Sequence, residues 1–231
     1  MPVRRAALVG WLALSLHSQR LPGPIKSLFV DGIDQQPSGL YLRLRNTSYK
    51  DLVGYSLSIG DRFESVPVSN TPVVAARATS RVRVQNPTVG PGAGQPLLRA
   101  ALFADGSYEG DPAAAAALVI PGMAADVERK RIVNALEPMI ANDDPLPFDE
   151  VRLRISQVTT HMDVVSVLEM SGRFPSLGDW RDSPFRAQFE EAARAQRDLF
   201  LNRLDEMERQ RTVSLQEALR QLANQYAREL L

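Results

Sequence analysis

Between residues 39 and 45 the chain alternates strictly: Leu40, Leu42 and Leu44 fall on one side, Tyr41, Arg43 and Arg45 on the other. A period of two is what a strand with one buried face requires. A less regular alternation runs through Val53, Tyr55, Leu57 and Ile59 over 52–59. Short apolar stretches at 28–31, 81–84 and 97–103 add three strand candidates. Polar turns separate them: 46–51, Gly60-Asp61, and the segment 86–96 with three Gly and three Pro. That segment has no Gly-Lys-Ser/Thr and is followed by no helix, so it is not a phosphate cradle. Repeated short strands with such turns predict an antiparallel, immunoglobulin-like β-sandwich over 26–111.

Past that point the period changes. Asp111-Pro112 has the form of an N-cap followed by proline at the first helical position, and alanine-rich 113–118 favours helix. Pro121-Gly122 predicts a kink or a restart. Ile132, Leu136 and Ile140 carry the pattern on. Val151, Ile155, Val158, Met162 and Val165 recur in steps of four and three, a helical stripe, although Val151, Leu153 and Ile155 also permit a strand at its start. Residues 172–183 read as a loop containing Phe174 and Trp180. A further helix opens at Ser183-Pro184, with a stripe of Phe185, Phe189, Ala193, Leu199 or Phe200, Leu204 and Met207. The spacing of Ser214 and Glu217 is a capping box, followed by apolar Leu215, Leu219, Leu222 and Tyr226. The expected class is therefore α+β: an N-terminal antiparallel Ig-like β-sandwich followed by C-terminal amphipathic helices over 112–231.

The first residues add a compartment. Arg4 and Arg5 precede an apolar run over 6–16, the pattern of a secretory signal. That run is shorter than the ~20 residues a membrane-spanning helix needs. The expectation is a signal peptide over 1–19, an exported periplasmic or extracellular protein, and no membrane span once the signal is removed; the competing reading is a buried N-terminal helix.

Composition narrows the chemistry. Among 231 residues, 44% are apolar and 23% charged, which suits a globular fold. The 27 basic and 27 acidic residues cancel, so nucleic acid is not an expected partner. Residues 26–105 hold 9 basic and 6 acidic side chains, residues 106–231 hold 15 and 21, so the halves are oppositely charged. There is no cysteine, which removes disulfides, thiolate nucleophiles and Cys-ligated metals. Of the two histidines, His17 lies in the signal segment and His161 stands on the predicted 151–165 helix with Thr159, Thr160 and Asp163 as neighbours. Neither a His-Glu-x-x-His nor a Gly-x-Ser-x-Gly motif occurs.

Three acids near the strand-to-helix junction, Asp105, Glu109 and Asp111, are the candidate metal ligands, since hard cations take oxygen donors. Turn formation at Asp105-Gly106 and capping by Asp111 explain two of them without a metal. Tyr41, Tyr49 and Tyr55 could form an aromatic patch for a glycan, and Trp180 and Arg181 could meet a sugar or an anion, with exposure in a loop as the plainer account.

The run Asn46-Thr47-Ser48-x-Lys50-Asp51-Leu52-x-Gly54-Tyr55, with Leu102-Phe103-Ala104-Asp105-Gly106-Ser107-x-Glu109-Gly110-Asp111 downstream, resembles a group of uncharacterised exported bacterial proteins. The resemblance spans 28–135. It implies an Ig-like sandwich with a helical tail and an exported location, and assigns no residue a role. The expected function is a non-catalytic exported scaffold or protein-interaction module without a cofactor, meeting a partner or a second copy through the 184–231 helices. The alternatives are a carboxylate- or metal-dependent hydrolase and a ligand- or glycan-binding sandwich.

Overall fold

The computed structural model describes residues 24–36, 39–59, 62–66, 68, 71–84, 96–142, 146–178, 180, 184–210 and 214–230. The expected signal segment, Gly60-Asp61, most of 86–96, and Arg181 lie outside the described residues. The chain is a mixed α+β protein with two antiparallel sheets and five α-helices among those residues. One sheet orders β1 (Leu28–Gln36), β2 (Gly39–Asn46) and β5 (Thr79–Arg83) as β1-β2-β5. The other orders β4 (Arg62–Val66), β3 (Leu52–Ile59), β6 (Pro96–Phe103) and β7 (Tyr108–Gly110) as β4-β3-β6-β7.

The alternation of β2 is realised directly. Leu40, Leu42 and Leu44 are buried, while Arg43 and Arg45 are exposed and Tyr41 is half-buried. The leucines share a core with Leu52, Tyr55, Leu57, Ala101 and Phe103 of the second sheet. Every residue of β3 is buried. Its opposite side, with Val53, Ala100 and Leu102, packs on α1 (Pro112–Ile140). The second sheet is therefore a middle layer between the first sheet and the helices. Burial on both sides is met by small residues: Gly54, Ser56 and Ser58 alternate with Tyr55, Leu57 and Ile59, and all are buried.

The strand-to-helix junction turns at Gly106 and again at Gly110. Gly110 has φ +96, and a Cβ there would come within 2.3 Å of the Arg99 carbonyl oxygen. Only glycine fits that close approach.

Two helical expectations are corrected. First, α1 is one helix through Pro121 and Pro138, so the chain does not restart at Pro121. Pro121 cannot donate to the carbonyl four residues earlier, that of Ala117. Gln188, from α4 (Pro184–Gln210), supplies the missing donor: its Nε2 bonds the Ala117 oxygen at 3.0 Å. Second, the 151–165 stripe is two helices, α2 (Phe148–Ser156) and α3 (Val164–Arg173). α2 ends at Ser156, and Asp163 caps the start of α3, accepting from the Ser166 N–H at 2.8 Å. Val165, which completes the stripe on paper, is 73% exposed. His161 consequently sits in the connection, not on a helix.

The expected 172–183 loop is also corrected. It contains the end of α3 and a one-turn 3-10 helix, Pro175–Leu177, and it buries Phe174 and Trp180. Rings stack through it from Tyr108 to Phe174 to Trp180 to Phe185, with centroids 5.0, 6.2 and 5.0 Å apart. α4 and α5 (Leu215–Arg228) complete the helical layer. Of the paired alternatives on α4, Phe200 is buried and Leu199 exposed. No helix among the described residues is long and apolar enough to cross a membrane.

The Pro121–Gln188 arrangement gives a double-mutant test. Gln188→Ala should lower stability by about 1 kcal/mol, because it orphans a part-buried carbonyl. In a Pro121→Ala background, where Ala117 regains a backbone donor, the same change should cost markedly less. Urea melts of the four variants measure the difference.

Candidate functional site

The two motif segments meet in space. The turn after β2 is built by Asn46, whose side chain is buried and fully used. Its Nδ2 donates to the carbonyls of Lys50 at 2.7 Å and Ala75 at 3.2 Å, and its Oδ1 accepts from the Ser48 N–H and hydroxyl at 2.9 and 2.7 Å. Asp51 accepts from the Ala76 N–H at 2.7 Å. Lys50 then reaches the second motif, placing Nζ 2.6 Å from Asp105 and 2.9 Å from the Ser107 hydroxyl.

The three candidate metal ligands are engaged separately. Asp105 holds Lys50 and accepts from Ser107 in its own turn, and these contacts lower its pKa to about 2. Glu109 accepts from the backbone N–H groups of Lys26 and Ser27 and from the Ser27 hydroxyl at 2.7–2.8 Å, fastening the start of the described chain to β7. Burial pushes its carboxyl up, but those bonds together hold it below the usual value. Asp111 caps α1 through the Ala113 N–H and pairs with Arg99 at 2.9 Å. Among the described residues no three His, Asp or Glu side chains are grouped to hold a metal ion.

The tyrosines do not converge. Tyr55 is core, Tyr49 is 84% exposed under the Arg77 guanidinium, and Tyr41 lies under Arg81. Trp180 is core as well. His161 contacts Glu190 through Nδ1 at 2.6 Å on the surface. The apolar stripe of 184–231 is spent inside the molecule: Phe200 and Leu204 pack with Leu219, Leu222 and Tyr226 against Ile132 and Leu136 of α1.

The deepest charges lie where α1 packs on α4. Glu128 on α1 is wholly buried and meets Arg197 of α4 at 2.7 Å. The pair separates two apolar clusters, one containing Ala124 and Ala193, the other Ile132 and Phe200. It lies at the boundary between them on the α1–α4 contact. Arg197 also donates to the Ser156 carbonyl at 3.0 Å, and Arg131 donates to those of Thr159 and His161 at 3.0 and 2.8 Å. The connection between α2 and α3 is therefore clamped by arginines from α1 and α4. Spacing alone could have suggested this: Glu128 falls between Ala124 and Ile132 on the inward face of α1.

Beyond that connection, α3 turns apolar side chains outward. Val164, Val165 and Leu168 are 65%, 73% and 66% exposed, while Met170 and Val167 pack inward. An apolar groove of about 520 Å³ also lies between β1 and the start of β6, lined by Ile25, Phe29, Val30, Leu97 and Leu98.

No family model matches the sequence, and no curated protein or solved structure matches it.

Three measurements test these assignments. Arg197→Met should cost about 3–5 kcal/mol by stranding the Glu128 charge, and Glu128→Leu with Arg197→Met should recover most of it. Burial raises the Glu128 pKa, partly offset by Arg197. The folded chain therefore holds that proton more tightly than the unfolded one. Its contribution is greatest at low pH and is lost as pH rises through the folded value, so Glu128→Gln should flatten that part of the stability profile. Separately, the Asp105 carboxyl should titrate near 2 by carbon-detected NMR and move up toward its ordinary 3.8 in Lys50→Ala.

Proposed function

We propose that the protein is an exported, non-catalytic interaction module: an immunoglobulin-like sandwich that carries helices and presents a protein-binding face on α3. The sandwich reading is supported by two antiparallel sheets that share one apolar core. Export is supported by the cationic and then apolar pattern of residues 1–19. The non-catalytic reading is supported by the candidate carboxylates, each engaged in turn, cap or strand anchoring.

One observation carries the interaction reading. Val164, Val165 and Leu168 occupy one face of a capped helix whose other side is anchored in the core by Met170. An exposed cluster of aliphatic side chains on a rigid element marks a contact surface. Covering such a side chain fully contributes about 1.5–3 kcal/mol. The surface proposed for the 184–231 helices thus moves to α3, because the stripe of those helices is buried.

The test uses the full chain expressed in its exported form. The mature protein should begin beyond residue 19 or so, read by intact mass. Val165→Glu with Leu168→Glu should leave the melting curve unchanged and abolish complexes that the wild type forms with its co-purifying protein partner on native sizing and cross-linking. Persistence of those complexes in the double variant, or a wild type that cross-links to nothing, overturns the reading.

A further inference from the structure

The outward face of the first sheet is basic. Arg43 and Arg45 project from β2 and Arg81 and Arg83 from β5, against Asp31 and Asp34 from β1. Asp31 is consumed by Arg45, which it holds through two bonds at 2.7 and 3.1 Å. That leaves Asp34 alone for two arginines, 3.8 Å from Arg43 and 3.6 Å from Arg81. Arg43 and Arg81 are direct cross-strand partners. Like charges placed opposite one another oppose sheet formation, so this pair works against the fold it sits on. Arg83 has no carboxylate partner among the described residues.

β5 is also an edge. It pairs with β2 on one side, and no described strand pairs with its other side. Its outward side chains, Thr79, Arg81 and Arg83, are all exposed, and Ser80 and Val82 between them are half-buried. A strand laid along that edge would bring its alternate side chains opposite Arg81 and Arg83, on the same face as Arg43.

We propose that the edge of β5 that no described strand pairs with binds an extended acidic peptide by strand addition, its alternate carboxylates neutralising Arg81, Arg83 and Arg43. Backbone hydrogen bonds supply the pairing and the arginine row supplies the register and sign. Charge complementarity selects this occupant: the row has more guanidinium than its own carboxylates cover. The aromatic faces beside it do not offer a stacking platform for bases. Arg81 lies over Tyr41 with its guanidinium carbon 4.1 Å from the ring centre, and Arg45 over Phe29 at 5.1 Å. This surface is separate from α3 and does not rest on the α3 reading.

The probe is a fluorescent eight-residue peptide of alternating Glu and Val, titrated by anisotropy into the full chain. Its controls are a same-composition peptide with the glutamates in one block, the alternating peptide N-methylated on every second amide, and heparin. The alternating peptide should bind about tenfold tighter than the block peptide, the ratio that two cross-strand charge pairs supply. N-methylation should abolish binding, and added salt should weaken it. Arg81→Glu with Arg83→Glu should lose the acidic peptide and gain an alternating Lys-Val peptide, a reversal that an unfolded variant cannot show. Equal binding of alternating and block peptides overturns the proposal, as does binding indifferent to N-methylation. Tight heparin binding without peptide binding would make the face a general polyanion surface, and salt-sensitive self-association without peptide binding would assign it to a second copy; either also overturns it.

Discussion

The centre of the middle sheet, β3 and the end of β6, has no wet face, and most of the architecture follows from that constraint. β3 and the end of β6 are buried on both sides, so two separate layers must cover them. On one side the cover is the leucine row of β2. On the other it is the alanine-rich start of α1, where Ala115, Ala116 and Ala124 let the helix approach closely. An apolar area of this size supplies the main driving force for folding. The chain must pass from one sheet to the other between β2 and β3, and that crossing is a buried polar problem. Asn46 resolves it by bonding three carbonyls and the Ser48 N–H and hydroxyl, which leaves the turn without stranded groups.

The crossing explains why two short motifs far apart in sequence belong together. Asn46, Ser48, Lys50 and Asp51 form one turn, Asp105 and Ser107 the next, and Lys50 joins them. Their polar residues hold the corner where both sheets and the first helix begin to meet. Acids gathered near such a corner resemble a metal site on paper. In space each answers a different structural demand: a turn, a strand anchor and a helix cap.

Much of the fold is legible in the sequence, and the failures have causes. β2 is plain because one of its faces meets solvent and the other the core. β4 and β7 escape notice: β7 is three residues long, too short for a period to show. The Asp111 cap and the Ser214 cap are both readable, since each is a local bond between neighbours. Pro121 misleads because its compensation comes from Gln188, far along the chain. Trp180 misleads because burial by Phe174 and Phe185 is tertiary, and its flanking polar residues suggest a loop. The Glu128–Arg197 pair is legible only as two charges on apolar faces, which sequence alone cannot join. As for the site, the exposed aliphatic face of α3 is visible only once what reads as one continuous stripe is resolved into α2 and α3.

α1 is about 43 Å long at 1.5 Å per residue, and it belongs to two apolar clusters at once. Its first half lies on the middle sheet, its second half on α4 and α5, and the buried ion pair sits between. Such a rod makes the two halves of the molecule mechanically continuous. The same helix covers apolar side chains of the β-layers at one end and of the far helices at the other, so a truncation within it would uncover both.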